Sequence, residues 1–168
     1  MRKLVFFLVI FPLIATACIN SSKQQARKYG ERMPERIGVF SQEDVIELTE
    51  EAVSDKGHMT LVYEGNAGEV YVVIDIYGTD PAAEVAVERR NRDLRLMGLE
   101  LETDRVPRYS KFGRADIVEM PNGRIAIFSD KNVVIEVQYI KADDESEISD
   151  DDWTAFLTAV REVGDNLD

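Results

Sequence analysis

Five segments of the chain are rich in the apolar, β-branched and aromatic residues typical of β-strands, and residues 70–77 and 133–140 also show the period of two that separates the two faces of a strand. The five segments are residues 59–64, 70–77, 115–120, 124–129 and 133–140. Turn-forming sequences separate neighbours, namely Gly65-Asn66-Ala67-Gly68, Pro121-Asn122-Gly123 and Asp130-Lys131-Asn132. The pattern therefore predicts antiparallel hairpins, and residues 99–103 are a weaker sixth strand candidate.

Two segments have the helical period instead. Trp153, Phe156, Leu157 and Val160 form an apolar stripe, which predicts a helix from about 150 to 163 that begins after Ser149. Asp80 and Pro81 are typical of a helix start, and this second helix is predicted to end at Gly98. Its predicted inner side consists of Ala83, Val87, Leu94 and Met97. A short third helix is predicted from Ser41, although residues 46–48 also fit an extended segment.

The order of these elements predicts an α+β fold for residues 35–168. We expect an antiparallel sheet of about five or six strands, with two or three helices packed mainly on one face. A single domain of this size can bury a substantial core without disulfides.

The first seventeen residues have a different character. Arg2 and Lys3 precede an eleven-residue apolar run over 4–14, and the small residues Ala15-Thr16-Ala17 follow. These are the parts of a secretory signal peptide. A helix of this length would be about 16 Å long, roughly half of the hydrocarbon core of a bilayer. We therefore predict export and removal of residues 1–17.

Cys18 is the only cysteine, and it directly follows the predicted leader. The sequence Ala15-Thr16-Ala17-Cys18 resembles the lipobox of bacterial lipoproteins. The resemblance implies cleavage before Cys18 and lipid attachment to its sulfur, which would anchor the protein in the bilayer and facing away from the cytoplasm. Ile19, where inner-membrane lipoproteins commonly have aspartate, favours the outer membrane in a two-membrane source. The alternative is ordinary secretion with a free thiol at Cys18.

The net charge of the chain limits the kinds of partner that it can bind. Removing Arg2 and Lys3 changes the net charge from −12 to about −14, which argues against nucleic acid. Residues 18–34 are rich in Lys and Arg and poor in large apolar residues. We expect a flexible tether there, whose basic residues could alternatively rest on anionic headgroups.

Few residues suit catalysis or metal binding. His58 is the only histidine and is predicted to lie in a turn, so no catalytic residue, metal site or cofactor is predicted. The acidic run 143–152 has an alternative interpretation as a calcium site. It lacks the glycine and ligand spacing of a calcium loop, so we interpret it as a helix start and a solvated loop.

Two surfaces are candidates for partner binding. One face of the strand 70–77 would present Tyr71, Val73, Asp75 and Tyr77, an amphipathic set common at binding sites. The helix after Asp80 would present Arg89 and Arg92. We therefore predict a non-catalytic binding or scaffolding lipoprotein of the cell envelope, with another envelope protein as partner. The alternatives are a hydrolase that uses carboxylates of the sheet face and a structural component of a larger membrane complex.

Overall fold

The computed structural model describes residues 22–47, 56–105 and 111–166. Its elements are α1 (22–30), β1 (Arg36–Ile37), β2 (Phe40–Glu47), β3 (Gly57–Gly65), β4 (Gly68–Ile76), α2 (Asp80–Leu96), β5 (Glu102–Arg105), β6 (Arg114–Met120), β7 (Gly123–Asp130), β8 (Val133–Lys141) and α3 (Asp150–Asp165). The fold is α+β, as predicted.

All eight strands form one antiparallel sheet in the order β1-β2-β3-β4-β8-β7-β6-β5. Two four-stranded meanders are joined edge to edge where β4 pairs with β8. The antiparallel sheet is confirmed, but the expected five or six strands are an undercount. Strands β1 and β2 were not predicted, and β5 begins three residues later than predicted.

The first face of the sheet is covered by α1 and α3. The predicted stripe of α3 is buried there, and Ser149 accepts a hydrogen bond from the amide of Asp152 as the predicted N-cap. Phe156 lies against the rings of Phe40 and Tyr63, with centroid distances of 5.5 and 5.3 Å. This aromatic cluster is fully buried and forms the main hydrophobic core.

The predicted helix from Ser41 is wrong, because Phe40–Glu47 form strand β2. Val45 pairs with Leu61 and Ile46 pairs with Thr60, so β2 is held along its length by β3. Pairing with a neighbouring strand has outweighed the local helix-start signal. The remainder of that predicted helix, 48–52, lies outside the described residues.

The flexible tether predicted over 18–34 is also wrong for residues 22–34. Residues 22–30 form helix α1, and Ala26 and Met33 belong to the main core. The buried side of α1 is made of small residues, including Gly30, where a Cβ would overlap the sulfur of Met59. Small residues give close packing without a strongly apolar sequence, which explains why the segment resembled a spacer.

Helix α2 packs on the second face of the sheet. Thr79 rather than Asp80 is its N-cap, and the chain leaves the helix through Met97 and Gly98. Ala83 and Leu94 are buried as predicted, whereas Met97 is 70% exposed and does not belong to the inner side. Of the three described helices, two thus share one face, and the third covers part of the other.

Candidate functional site

Helix α2 divides the second face of the sheet into a covered half and an open half. Ala83 and Leu94 form a small core with side chains of β6, β7 and β8. Among the described helices, none covers the same face of β2, β3 and β4. Within the described residues, the second face is therefore half open, and part of the predicted binding surface is accessible there.

The open half combines apolar and acidic side chains. Ile46 of β2 is 47% exposed, and Tyr71 and Val73 of β4 are half-buried on the same face, on the other side of β3. Acidic residues border this patch on each of the three strands, namely Asp44, Glu64 and Glu69. We call these six residues the open half-face. It contains two of the four predicted sheet-face residues, Tyr71 and Val73.

The acidic border contains an unfavourable pair. Glu64 and Glu69 are directly opposite each other across the β3–β4 hairpin. Like charges in such cross-strand positions are destabilising. Glu69 accepts a hydrogen bond from the Tyr71 hydroxyl, and this bond is the main reason that the pKa of Tyr71 is raised. The hairpin thus concentrates negative charge beside the half-buried ring of Tyr71.

The other two predicted residues lie elsewhere. Tyr77 packs against the small core beneath α2, with the ammonium of Lys56 5.5 Å from its ring centroid. Asp75 is enclosed by two basic partners: its carboxylate accepts from Lys56 Nζ at 2.5 Å and from His58 Nδ1 at 2.6 Å. Neither residue belongs to the open half-face.

His58 links Asp75 to a hydroxyl group. Its Nε2 lies 3.1 Å from Thr60 Oγ1. With the Nδ1 proton donated to Asp75, a neutral His58 accepts the Thr60 proton at Nε2. We call Lys56, His58, Thr60 and Asp75 the histidine cluster. Burial alone would raise the pKa of Asp75, but the hydrogen bonds and charges of His58 and Lys56 outweigh it and lower that pKa.

This cluster was not predicted, although the sequence contains a signal for it. Counting back from the turn Gly65–Gly68 places His58 opposite Asp75, and His58 and Thr60 share a face because they are two residues apart. His58 was predicted to lie in a turn before the strand, whereas β3 begins at Gly57.

The histidine cluster has the order of groups found in hydrolytic triads, but it lacks their surroundings. A hydrolase needs donors aimed at a developing oxyanion. Thr60 lies in an internal strand that pairs with β2 on one side and β4 on the other, so nearby backbone amides are engaged in the sheet. Thr60 is also only 9% exposed. The arrangement can hold a histidine tautomer and support a strand pair.

The carboxylate of Glu136 is also paired. Arg90 of α2 donates hydrogen bonds to both carboxylate oxygens of Glu136. The closest contact is 2.5 Å, from Arg90 Nη2 to Glu136 Oε1. Arg89 and Arg92, predicted as a docking surface, are exposed on α2. Arg92 makes only a 4.0 Å contact with Asp93. Arg90 therefore secures the helix to the sheet, while Arg89 and Arg92 remain at the surface.

Several acidic residues of the run 143–152 have partners within the protein. Asp143 accepts from the amides of Glu145 and Ser146, and Arg124 lies 2.8 Å from Asp150 and 3.6 Å from Glu147. Over the described ranges 22–47, 56–105 and 111–166, no group of three or more potential ligands is arranged for a metal ion. Helix capping and ion pairing explain the run.

The leader and Cys18 lie outside the described residues. Of the helices that are described, none is long and apolar enough to cross a membrane. No protein-family model matches the chain, and no curated protein or solved structure matches it either.

Proposed function

We propose that the protein is a cell-envelope lipoprotein, anchored through Cys18, whose domain binds another protein and catalyses no reaction. The observation that carries the binding role is the open half-face, where α2 leaves Ile46, Tyr71 and Val73 uncovered. Aromatic and apolar side chains with a polar border are typical of protein-binding patches. The anchor rests on the lipobox-like sequence before Cys18.

The charge of the open half-face indicates the kind of partner. Its three acidic residues border the apolar centre, and the Glu64–Glu69 pair is repulsive in the unbound protein. A partner with Lys or Arg side chains would relieve this repulsion while an apolar patch on the partner covers Tyr71. We therefore propose a basic, apolar-centred surface on another envelope protein as the partner.

Charge reversal tests the binding surface. The Glu64→Lys/Glu69→Lys variant should reduce recovery of the partner with the protein, after mild solubilisation of native membranes, by about tenfold, the equivalent of ~1.4 kcal/mol. The Glu84→Lys/Glu88→Lys variant makes the same charge change on the exposed side of α2 and should leave recovery unchanged. Equal recovery with both variants would contradict the assignment of the surface.

The anchor is tested separately by intact mass. The mature chain should begin at Cys18 and exceed its peptide mass by two or three acyl chains. A Cys18→Ser variant should retain its leader, because the lipid-dependent cleavage cannot proceed. A mature chain that begins at an unmodified Cys18 would contradict the lipoprotein assignment and indicate an ordinary secreted protein.

A hydrolase is the second candidate, favoured by the Asp75–His58–Thr60 arrangement alone. A fluorophosphonate probe, which reacts with activated hydroxyls, separates the two candidates. Labelling of Thr60 that disappears in a His58→Gln variant would establish the hydrolase. The binding role predicts no labelling at Thr60 in the intact protein.

A further inference from the structure

An open cavity of about 300 Å³ lies where α1 meets the β7–β8 turn, away from the open half-face. The residues that matter for its chemistry are Lys28, Tyr29, Lys111, Asp130, Lys131 and Asn132. Tyr29 is held by an edge contact with Phe112 at 6.3 Å between ring centroids. We call these six residues the lysine pocket.

The charge of the lysine pocket is opposite to that of the chain. Three lysines and one aspartate line it, in a protein whose net charge is −12. Burial raises the pKa of Tyr29, and the negative charge of Asp130 raises it further, so the phenol stays protonated as a donor. The pocket thus offers excess positive charge and hydrogen-bond donors, which are the groups that bind a phosphate.

The backbone at Lys131 supports a role beyond stability. Lys131 has φ of +51° and is the only non-glycine residue with positive φ in the described part of the chain. It lies in a two-residue turn between the paired residues Asp130 and Val133. Glycine or asparagine is usual where such turns require positive φ, and another side chain there costs roughly 1–2 kcal/mol. Lysine at this position has a strained backbone, but its side chain adds a basic group to the pocket.

The lysine pocket lies close along the chain to the proposed lipid anchor at Cys18. Cys18 precedes Ser22, where the described part of α1 begins, by four residues, which can span at most about 14 Å. Lys28 lies about 9 Å further along the helix axis. A lipid on Cys18 would therefore hold the pocket within reach of the headgroups, where basic residues are attracted to anionic lipids.

We propose that the lysine pocket binds the phosphate of an anionic phospholipid headgroup in the membrane that holds the protein. This inference rests on the proposed anchor at Cys18, and it adds an orientation: the α1 end of the domain faces the bilayer. A fixed orientation leaves the open half-face, on the second face of the sheet, available to a partner.

Lysine acetylation read by mass spectrometry tests the pocket. The acylated mature protein is reconstituted in vesicles of phosphatidylcholine, with or without phosphatidylglycerol, and modified with an amine-reactive ester. Lys28, Lys111 and Lys131 should react about fivefold more slowly with phosphatidylglycerol present, as expected for ammonium groups held at an anionic surface. Lys141, which lies at the far end of β8, should be little affected.

Matched variants separate a built pocket from general attraction to the surface. In Lys28→Gln/Lys131→Gln, the protection of Lys111 should be lost. In Lys23→Gln/Lys141→Gln, which removes the same charge outside the pocket, it should persist. Lys131→Gly should make the protein more stable to urea by relieving the backbone strain, and should still weaken the protection of Lys111.

Each contrary result has a distinct meaning. An unacylated mature chain rejects the anchor and this inference with it. An acylated chain whose pocket lysines react equally in both vesicles rejects the pocket alone. Equal protection by inorganic phosphate in phosphatidylcholine vesicles makes free phosphate the ligand and rejects the lipid. Loss of Lys111 protection in both double variants would show that the protection comes from general surface charge. This result would also reject the lysine pocket as a binding site.

Discussion

The two faces of the sheet are built from the same strands but differ in what fills them. On the first face, two helices seal a continuous core whose largest side chains, including Phe40, Tyr63 and Phe156, are fully buried. On the second face, α2 seals only a small core, and ionic pairs and polar clusters occupy much of the remainder.

This difference separates stability from recognition. Buried apolar and aromatic area is the largest favourable contribution to folding, so the first face should dominate the free energy of unfolding. The open half-face contributes little to a core and can present its side chains to a partner. Substitutions on the two faces should therefore have effects of different size and kind.

The largest effect is expected from Phe156→Ala on the first face. It removes a ring that contacts both Phe40 and Tyr63 and leaves a cavity, so the free energy of unfolding should fall by about 3–5 kcal/mol. Urea denaturation followed by the fluorescence of Trp153 measures this loss. A loss below ~1 kcal/mol would show that the first face does not dominate stability.

A smaller effect is expected from Arg90→Met on the covered half of the second face. This change leaves the half-buried Glu136 without its two-oxygen partner and should cost about 1–2 kcal/mol. Arg92→Met is the matched control, because its exposed 4.0 Å contact with Asp93 contributes almost nothing. Equal losses in the two variants would show that the Arg90 pair is no stronger than a surface contact.

The histidine cluster should make the free energy of unfolding depend on pH in the acid range. The folded-state pKa of Asp75 lies below its ordinary value of 3.8, so the ionised carboxylate stabilises the fold above that pH. The contribution disappears as the pH falls through the lowered pKa. Asp75→Asn should therefore flatten the decline in unfolding free energy below about pH 4. Asp151→Asn, at an exposed position, should leave the decline as in the original protein.

The smallest effect on stability is expected on the open half-face. Tyr71→Ala should change the free energy of unfolding by no more than about 0.5 kcal/mol, because its ring is half exposed and its hydroxyl contacts only Glu69. The same variant should clearly reduce partner recovery from native membranes. A large loss of stability would mean that Tyr71 is a core residue and not a contact residue.

Residue periodicity and helix-start residues are local signals in the sequence, and they predicted several elements correctly. The pattern over 70–77 correctly separated the two faces of β4, and Ser149 correctly marked the start of α3. Long-range features were not predictable in the same way. The pairing of β4 with β8 and the side on which α2 packs depend on contacts between distant segments, which no local period encodes.

The errors have physical causes that can be identified. Helix α1 was missed because its buried side uses Ala26 and Gly30, which are small residues with a weak hydrophobic signal. The histidine cluster was missed because its Asp75–His58 contact depends on strand register. Tyr71 and Val73 were correctly placed on one face, but the exclusion of Tyr77 from the open surface required the position of α2.

Site-specific photocrosslinking in native membranes tests the central claim most directly. A photoreactive amino acid is placed at position 71 on the open half-face, and at position 89 on the exposed side of α2. We expect one basic envelope protein to be captured from position 71 and not from position 89, and we expect Glu64→Lys/Glu69→Lys to abolish that capture. Capture from position 89 alone would contradict the account and assign binding to the arginines of α2.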